Sequence, residues 1–199
     1  MTYSEPFINH YADQDLDYMN FYVFDQIFSE EEIEAIIELG NSLNLREGKV
    51  NGGNNDLNTT VRKSEIGFFG VEDETQWIFD RIAEHVLIAN KQMWNFDLIG
   101  FGDSIQFTKY HGDGGHYDWH ADIGETVPHR KISVVVQLSD EDEYEGGNLQ
   151  FNIGPYYPQA PKKKGTMVVF PTYMLHRVTP VVEGLRMSLV SWVSGPNFR

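Results

Sequence analysis

The chain has 199 residues, carries 30 Asp and Glu against 15 Lys and Arg for a formal net charge of −15, and contains no cysteine. Without cysteine there are no disulfides, zinc-thiolate sites, iron–sulfur clusters or thiol nucleophiles, so any metal must sit on His, Asp and Glu. The acidic excess repels phosphate backbones and argues against nucleic acid as a partner; it favours a basic or neutral substrate and leaves the KKK run at 162–164 as a local exception.

The length suits one domain with one well-buried core, here taken as residues 1–199, and 41% hydrophobic with 14% aromatic residues makes the chain globular. No run approaches the ~18 apolar residues of a spanning helix, and MTYSEPFINHYADQD lacks the basic and apolar parts of a signal peptide. A soluble, cytoplasmic protein without membrane contact is expected.

In chain order, FYVFDQIF at 21–28 reads as a strand entering an amphipathic helix, where Ser29 and Glu32 form a capping box and Ile33, Ile36, Ile37 and Leu43 recur at helical spacing. Residues 48–60, GKVNGGNNDLNTT, have loop composition. A second helix over 73–94 is predicted from Trp77, Ile78, Ile82, His85, Val86 and Ala89, with His85 a packed histidine rather than a ligand. From residue 97 the texture changes to short apolar runs broken by Gly, Pro, Asp and Asn, and SDEDEYEGG at 139–147 reads as a solvated turn. The expected class is α+β, mainly β: helical support over about 1–96, then a sandwich or barrel over about 97–199.

Residues 116–122, HYDWHAD, contain His-x-Asp twice, as His116 with Asp118 and His120 with Asp122. In an extended chain all four side chains face one way. A His and an Asp two apart, joined by a distant His, can occupy one face of an octahedral metal and leave three positions open, as suits non-haem Fe(II). After residue 129 the chain has one histidine, His176, following the apolar run TMVVF. The spacing leaves open which pair ligates.

WHADIG, then RKISVVVQLSDEDEYEGGNLQF, then GTMVVFPTYMLHRVTPVVEGLRMSLVSWV resembles, from about Ile105 to Val193, the core of the Fe(II)- and 2-oxoglutarate-dependent dioxygenases. The resemblance is to the prolyl 4-hydroxylase-like branch with the PKHD-type hydroxylases, and it implies a double-stranded β-helix, or jelly roll, backed by N-terminal helices. In that family a Tyr often stands ten residues before the metal His. Tyr110 so precedes His120, whereas Gln106 precedes His116. The resemblance therefore selects His120, Asp122 and His176 as ligands and leaves His116 and Asp118 to a hydrogen-bonded strand edge or a substrate-facing rim.

Counting by two on the last strand, Arg186, Ser188, Val190 and Trp192 share a face. A buried guanidinium needs an anion, and its fork matches a carboxylate. The resemblance supplies the distal carboxylate of 2-oxoglutarate, with Ser188, Tyr110, Gln137 and Trp192 as further cosubstrate contacts. Gln137 stands where the animal oxygen-sensing prolyl hydroxylases carry a tyrosine. The implied cofactors are Fe(II), 2-oxoglutarate and O2, with ascorbate as an accessory reductant. The implied reaction hydroxylates a C–H bond and releases succinate and CO2.

By analogy the substrate is a prolyl residue in a peptide or protein, the alternative a free amino acid or small metabolite. A non-catalytic jelly-roll binding module is the reading from another class, and it has no use for a carboxylate-binding arginine. Trp119 is expected to pack on the opposite face from His120, and the Gly-rich segments 48–60 and 111–117 are expected to form a lid.

Overall fold

The computed structural model of the chain describes residues 21–49, 58–155 and 157–198. Most of the first expected lid, 50–57, lies outside the described residues. Strand β1 (Tyr22–Phe24) leads into helix α1 (Glu30–Ser42). Ser29 Oγ accepts from Glu32 N at 3.2 Å while the Glu32 carboxylate accepts from Ser29 N at 2.8 Å, so the predicted capping box is made. Glu30, Glu31 and Glu32 also place negative charge at the positive end of the helix dipole. Helix α2 (Gln76–Met93) buries Ile78, Phe79, Ile82, Val86 and Ala89 at three- and four-residue steps. Half-buried His85 bonds through Nδ1 to Arg81 O and meets the Phe24 ring edge, which accounts for it without a ligand role. Neither helix is long and apolar enough to cross a membrane.

The remaining strands are β2 (Arg46–Glu47), β3 (Arg62–Lys63), β4 (Glu65–Phe69), β5 (Gly100–Phe101), β6 (Ile105–His111), β7 (His116–His120), β8 (Arg130–Gln137), β9 (Tyr144–Gly146), β10 (Leu149–Phe151), β11 (Met167–Pro171), β12 (His176–Val178) and β13 (Val181–Ser194). The larger antiparallel sheet runs β1-β11-β8-β13-β6-β4-β2, with β5 and β9 paired to β13; the smaller runs β10-β12-β7-β3. This is the expected jelly roll.

Strand β8 shows how sequence alternation builds two cores. All eight of its residues are buried. Ile132, Val134 and Val136 join the cluster with Ile33, Ile36, Ile78 and Ile82 of the helices, while Val135 joins the one between the sheets with Leu149, Phe151 and Phe170. Full burial of each such side chain contributes roughly 1.5–3 kcal/mol. The interior face of β8 therefore reads Ser133, Val135, Gln137, with polar groups aimed into the space between the sheets.

Two expectations change. The N-terminal part is more than helical support, because β4 pairs with β6 in the larger sheet and β3 with β7 in the smaller; strands of two and five residues carry too little periodicity to be read from sequence. Residues 111–117 form no lid. Gly112 N and Gly114 N donate to Gly184 O and Val181 O, and Val181 N donates to Gly115 O, so the β6–β7 turn is tied to the start of β13.

Candidate active site

Strand β12 sets His176 opposite His120 of β7, but two residues further on Val178 lies opposite Tyr117, three residues back. Strand β7 thus carries one extra residue, a β-bulge, which reverses the facing of the chain beyond it. The sequence expectation that all four His-x-Asp side chains face one way fails for this reason. Tyr117 and His120 both line the central cavity and stack at 3.5 Å with an interplanar angle of 15°. His116 and Asp118 do not line it. His116 meets Gly114 O through Nδ1 at 2.8 Å and Thr60 O through Nε2 at 3.2 Å, and Asp118 Oδ1 accepts from Trp119 N. Trp119 packs against the Arg177 guanidinium and Tyr157, away from the cavity.

His120, Asp122 and His176 come together with one ligand-capable atom each, all within 4.8 Å of one another. His120 Nε2 lies 3.6 Å from Asp122 Oδ1, and His176 Nε2 lies 3.6 Å from Asp122 Oδ2. Each imidazole turns Nδ1 to a backbone carbonyl, His120 to Asp118 O at 2.7 Å and His176 to Met174 O at 2.8 Å. A carbonyl only accepts, so Nδ1 carries the proton and the Nε2 lone pairs converge beside the carboxylate. Burial, then the neighbouring His176, pushes His120 down to about 3, which keeps its ring neutral. Burial works upward on Asp122, but the two imidazoles, the Ser133 hydroxyl and Trp192 outweigh it and hold the carboxyl below its usual range. Ser133 Oγ donates to Asp122 Oδ2 at 2.6 Å. Two imidazole nitrogens and a carboxylate oxygen on one side of an open cavity are a donor set for a divalent metal with free positions.

The cavity measures about 980 Å³ and runs from this triad to Arg186, past Tyr110, Val135, Leu149 and Ser188. Arg186 is 1% exposed. Its Nη2 donates to Gln137 Oε1 at 2.9 Å, its Nη1 reaches Ser188 Oγ at 3.4 Å, and its Nε has no partner among the described residues. No carboxylate pairs with it among the described residues. A buried guanidinium without a counter-ion is costly, and one bordering a cavity fits an incoming carboxylate. The Tyr110 ring lies 5.4 Å from its Cζ. The sequence reading thus finds Arg186, Ser188, Tyr110 and Gln137 gathered at one end. Trp192 lines the other end, where its ring lies 3.9 Å from Arg130 Cζ and its buried Nε1 lacks hydrogen-bond geometry to a described residue.

Several neighbours escaped the sequence reading. Ser133 was available from β8 alternation, since it shares a face with Val135 and Gln137. Tyr117 depends on the bulge and carried no signal. Burial raises its phenol to about 12, so it stays protonated. Lys162 and Lys164 of the basic run separate, Lys164 pairing with Glu30 at 2.8 Å and Lys162 lying 3.9 Å from the Tyr144 ring, so KKK is no shared surface patch.

A model of the 2OG-Fe(II) oxygenase superfamily matches residues 105–194. PKHD-type hydroxylases of Aliarcobacter butzleri and Acidovorax ebreus are each 28% identical, over 84% and 85% of this chain and 75% of theirs. Among solved structures, a Pseudomonas putida prolyl-4-hydroxylase superposes with a TM-score of 0.70 at 18% identity, covering 89% of this chain and 94% of its own. A prolyl hydroxylase from Trichoplax adhaerens, in complex with a hypoxia inducible factor oxygen degradation domain peptide fragment, gives 0.75 at 16% identity, covering 88% and 83%. With the His-Asp-His cluster and the jelly roll around it, these matches identify residues 105–194 as a 2OG-Fe(II) oxygenase core similar to that of the prolyl 4-hydroxylases, and the chain as an enzyme using Fe(II), 2-oxoglutarate and O2.

Proposed function

We propose that the chain hydroxylates a C–H bond of a prolyl residue in a peptide or protein, releasing succinate and CO2, with residues 1–199 acting as one dioxygenase domain in the cytoplasm. His120, Asp122 and His176 hold the iron in this reading, and Arg186 with Ser188 and Tyr110 holds 2-oxoglutarate. The observation that carries the reading is the buried Arg186 guanidinium, which has no carboxylate partner among the described residues, at the far end of the cavity that begins at the triad. A metal site alone would leave that charge uncompensated, whereas a dicarboxylate spanning the cavity satisfies both ends.

Iron with 2-oxoglutarate and O2 supplies the oxidising power for C–H hydroxylation. The chain's own part is positional. Carbonyls of Asp118 and Met174 fix the imidazole tautomers, Ser133 orients the Asp122 carboxylate, and Tyr117 packs flat on His120. Gln137 holds the Arg186 fork through Nη2. A peptide substrate is supported by the 28% identity to PKHD-type hydroxylases and by the peptide bound in the Trichoplax adhaerens relative of fold.

Anaerobic addition of Fe(II) and 2-oxoglutarate tests the site through the visible charge-transfer band of the chelate. The band is expected in wild type and His116→Ala and absent in His120→Ala. Proline-containing peptides are then screened beside free amino acids for succinate release and the mass gain of one oxygen atom. Turnover of free amino acids alone moves the substrate to the small-metabolite class, and a folded wild type without the band overturns the proposal.

A further inference from the structure

Three buried arginines line the cavity, and they differ in what compensates their charge. Arg186 faces the cosubstrate end, and Arg130 donates through Nε to the Asp103 carboxylate at 2.9 Å. Arg62 has neither role. It is 7% exposed, and no carboxylate pairs with it among the described residues. Its Nε donates to Ser64 Oγ at 2.8 Å and its Nη1 reaches Lys49 O only at 3.4 Å, while Nη2 has no hydrogen-bond partner among the described residues. A cation so far out of water is costly without an anion, and the outer edge of its fork is left for one.

Local structure fixes where that fork sits. Arg62 stands opposite Tyr117 in the β3–β7 pair, and its Cζ lies 4.6 Å from the centre of the Tyr117 ring, which stacks on His120. The guanidinium is therefore within two stacking distances of a triad residue. Gly48 leaves room for it, since a Cβ there would lie 2.5 Å from Arg62 Nε and 2.5 Å from Ser64 Oγ. From here the cavity extends over β4 and β2, which lie beyond β6 from the strand that carries Arg186. Arg46, Lys49 and the half-exposed Phe68 line this wing with Arg62, against the one carboxylate of Glu47. The wing is thus cationic in a chain of net charge −15. A dicarboxylate between the triad and Arg186 leaves it to the substrate.

Resting on the peptide reading above, we infer that Arg62 binds a carboxylate of the substrate. The preferred peptide then carries an aspartate or glutamate within about three residues of the hydroxylated position, at roughly 3.3–3.6 Å per extended residue. The Nη1 and Nη2 edge of a guanidinium presents parallel hydrogens to the two oxygens of a carboxylate. A phosphate dianion fits less well, because Glu47, Asp103 and Glu125 line the same cavity and repel its second charge.

The test is retention of a degenerate peptide library by immobilised protein loaded with Mn(II) and 2-oxoglutarate under nitrogen, read by mass spectrometry. Each peptide has one central proline, and each of the three positions on either side is fixed in turn as glutamate or glutamine. Wild type is expected to retain the glutamate set at one position about 10- to 100-fold more than the glutamine set, the scale of a hydrogen bond to a charged group. Arg62→Met is expected to lose that preference while keeping the charge-transfer band of the Fe(II) and 2-oxoglutarate chelate, and Arg62→Lys to keep part of it. Equal retention of both sets by wild type, or an undiminished preference in Arg62→Met, overturns the inference. A chelate band lost in both variants makes Arg62 a support of the Tyr117 and His120 stack and also overturns it. Wild type that forms the chelate but retains no peptide of any set overturns the peptide reading itself, and Arg62's part with it.

Discussion

Ser133 Oγ donates to Asp122 Oδ2 at 2.6 Å, so the carboxylate facing the two histidines is oriented from a strand that supplies none of the three. Removing such an outer partner typically costs 10- to 100-fold in metal affinity. Ser133→Ala is expected to weaken binding of Mn(II) or Co(II) by about that factor while leaving far-UV circular dichroism unchanged. Metal titration followed by paramagnetic or absorption signal measures it, and undiminished affinity removes Ser133 from the site.

Arg186 is a buried cation without a counter-ion among the described residues, which gives opposite signs for stability and binding. Arg186→Met keeps most of the side-chain volume and removes the uncompensated charge, so the ligand-free protein is expected to melt at or above the wild-type temperature. Binding of 2-oxoglutarate is expected to fall by about 2–5 kcal/mol, as for truncating one partner of a buried charged pair. Calorimetric melting and titration read the two effects separately. A lower ligand-free melting temperature with undisturbed binding makes Arg186 a structural residue.

Gly147 is constrained twice, by φ of +59° and by the 2.8 Å approach of a hypothetical Cβ to Arg186 Cδ. Gly147→Ala is expected to destabilise the fold by about 1–3 kcal/mol, the usual scale for a non-glycine residue in a sparsely populated backbone region. Because the new methyl pushes on the Arg186 stem, 2-oxoglutarate binding falls as well. Urea unfolding with intact m-value, alongside titration, checks both.

The His120 ring is held down to about 3 by burial, below the ordinary 6.5 of an unfolded histidine. The unfolded chain therefore takes up this proton first. Its contribution to stability is present above pH 6.5 and is lost as pH falls toward about 3. Metal-free protein is expected to melt at steadily lower temperature on acidification through this window, and His120→Gln to show a shallower decline. Melting curves at matched ionic strength measure the slopes, and parallel declines remove His120 as the source.

The sequence by itself determined much of this protein. The Ser29–Glu32 cap and the apolar spacing of Ile33 and Ile36 are local signals, and they fixed the first helix because capping and amphipathicity act within a few residues. Alternation along the last strand put Arg186, Ser188 and Trp192 on one face, and all three border the cavity. The order of His120, Asp122, His176 and Arg186 was legible as a family pattern, and the cluster forms. Tertiary structure alone decided the rest. The extra residue in β7 is defined against β12, a strand nearly sixty positions away in the chain, so strict alternation put Tyr117 opposite His120 when the two in fact stack. Likewise Tyr144 and Arg186 lie side by side only because β9 pairs with β13 and Gly147 leaves no side chain between them. Partners made across strands depend on register, and register is set by packing of the whole sheet rather than by any short window of sequence.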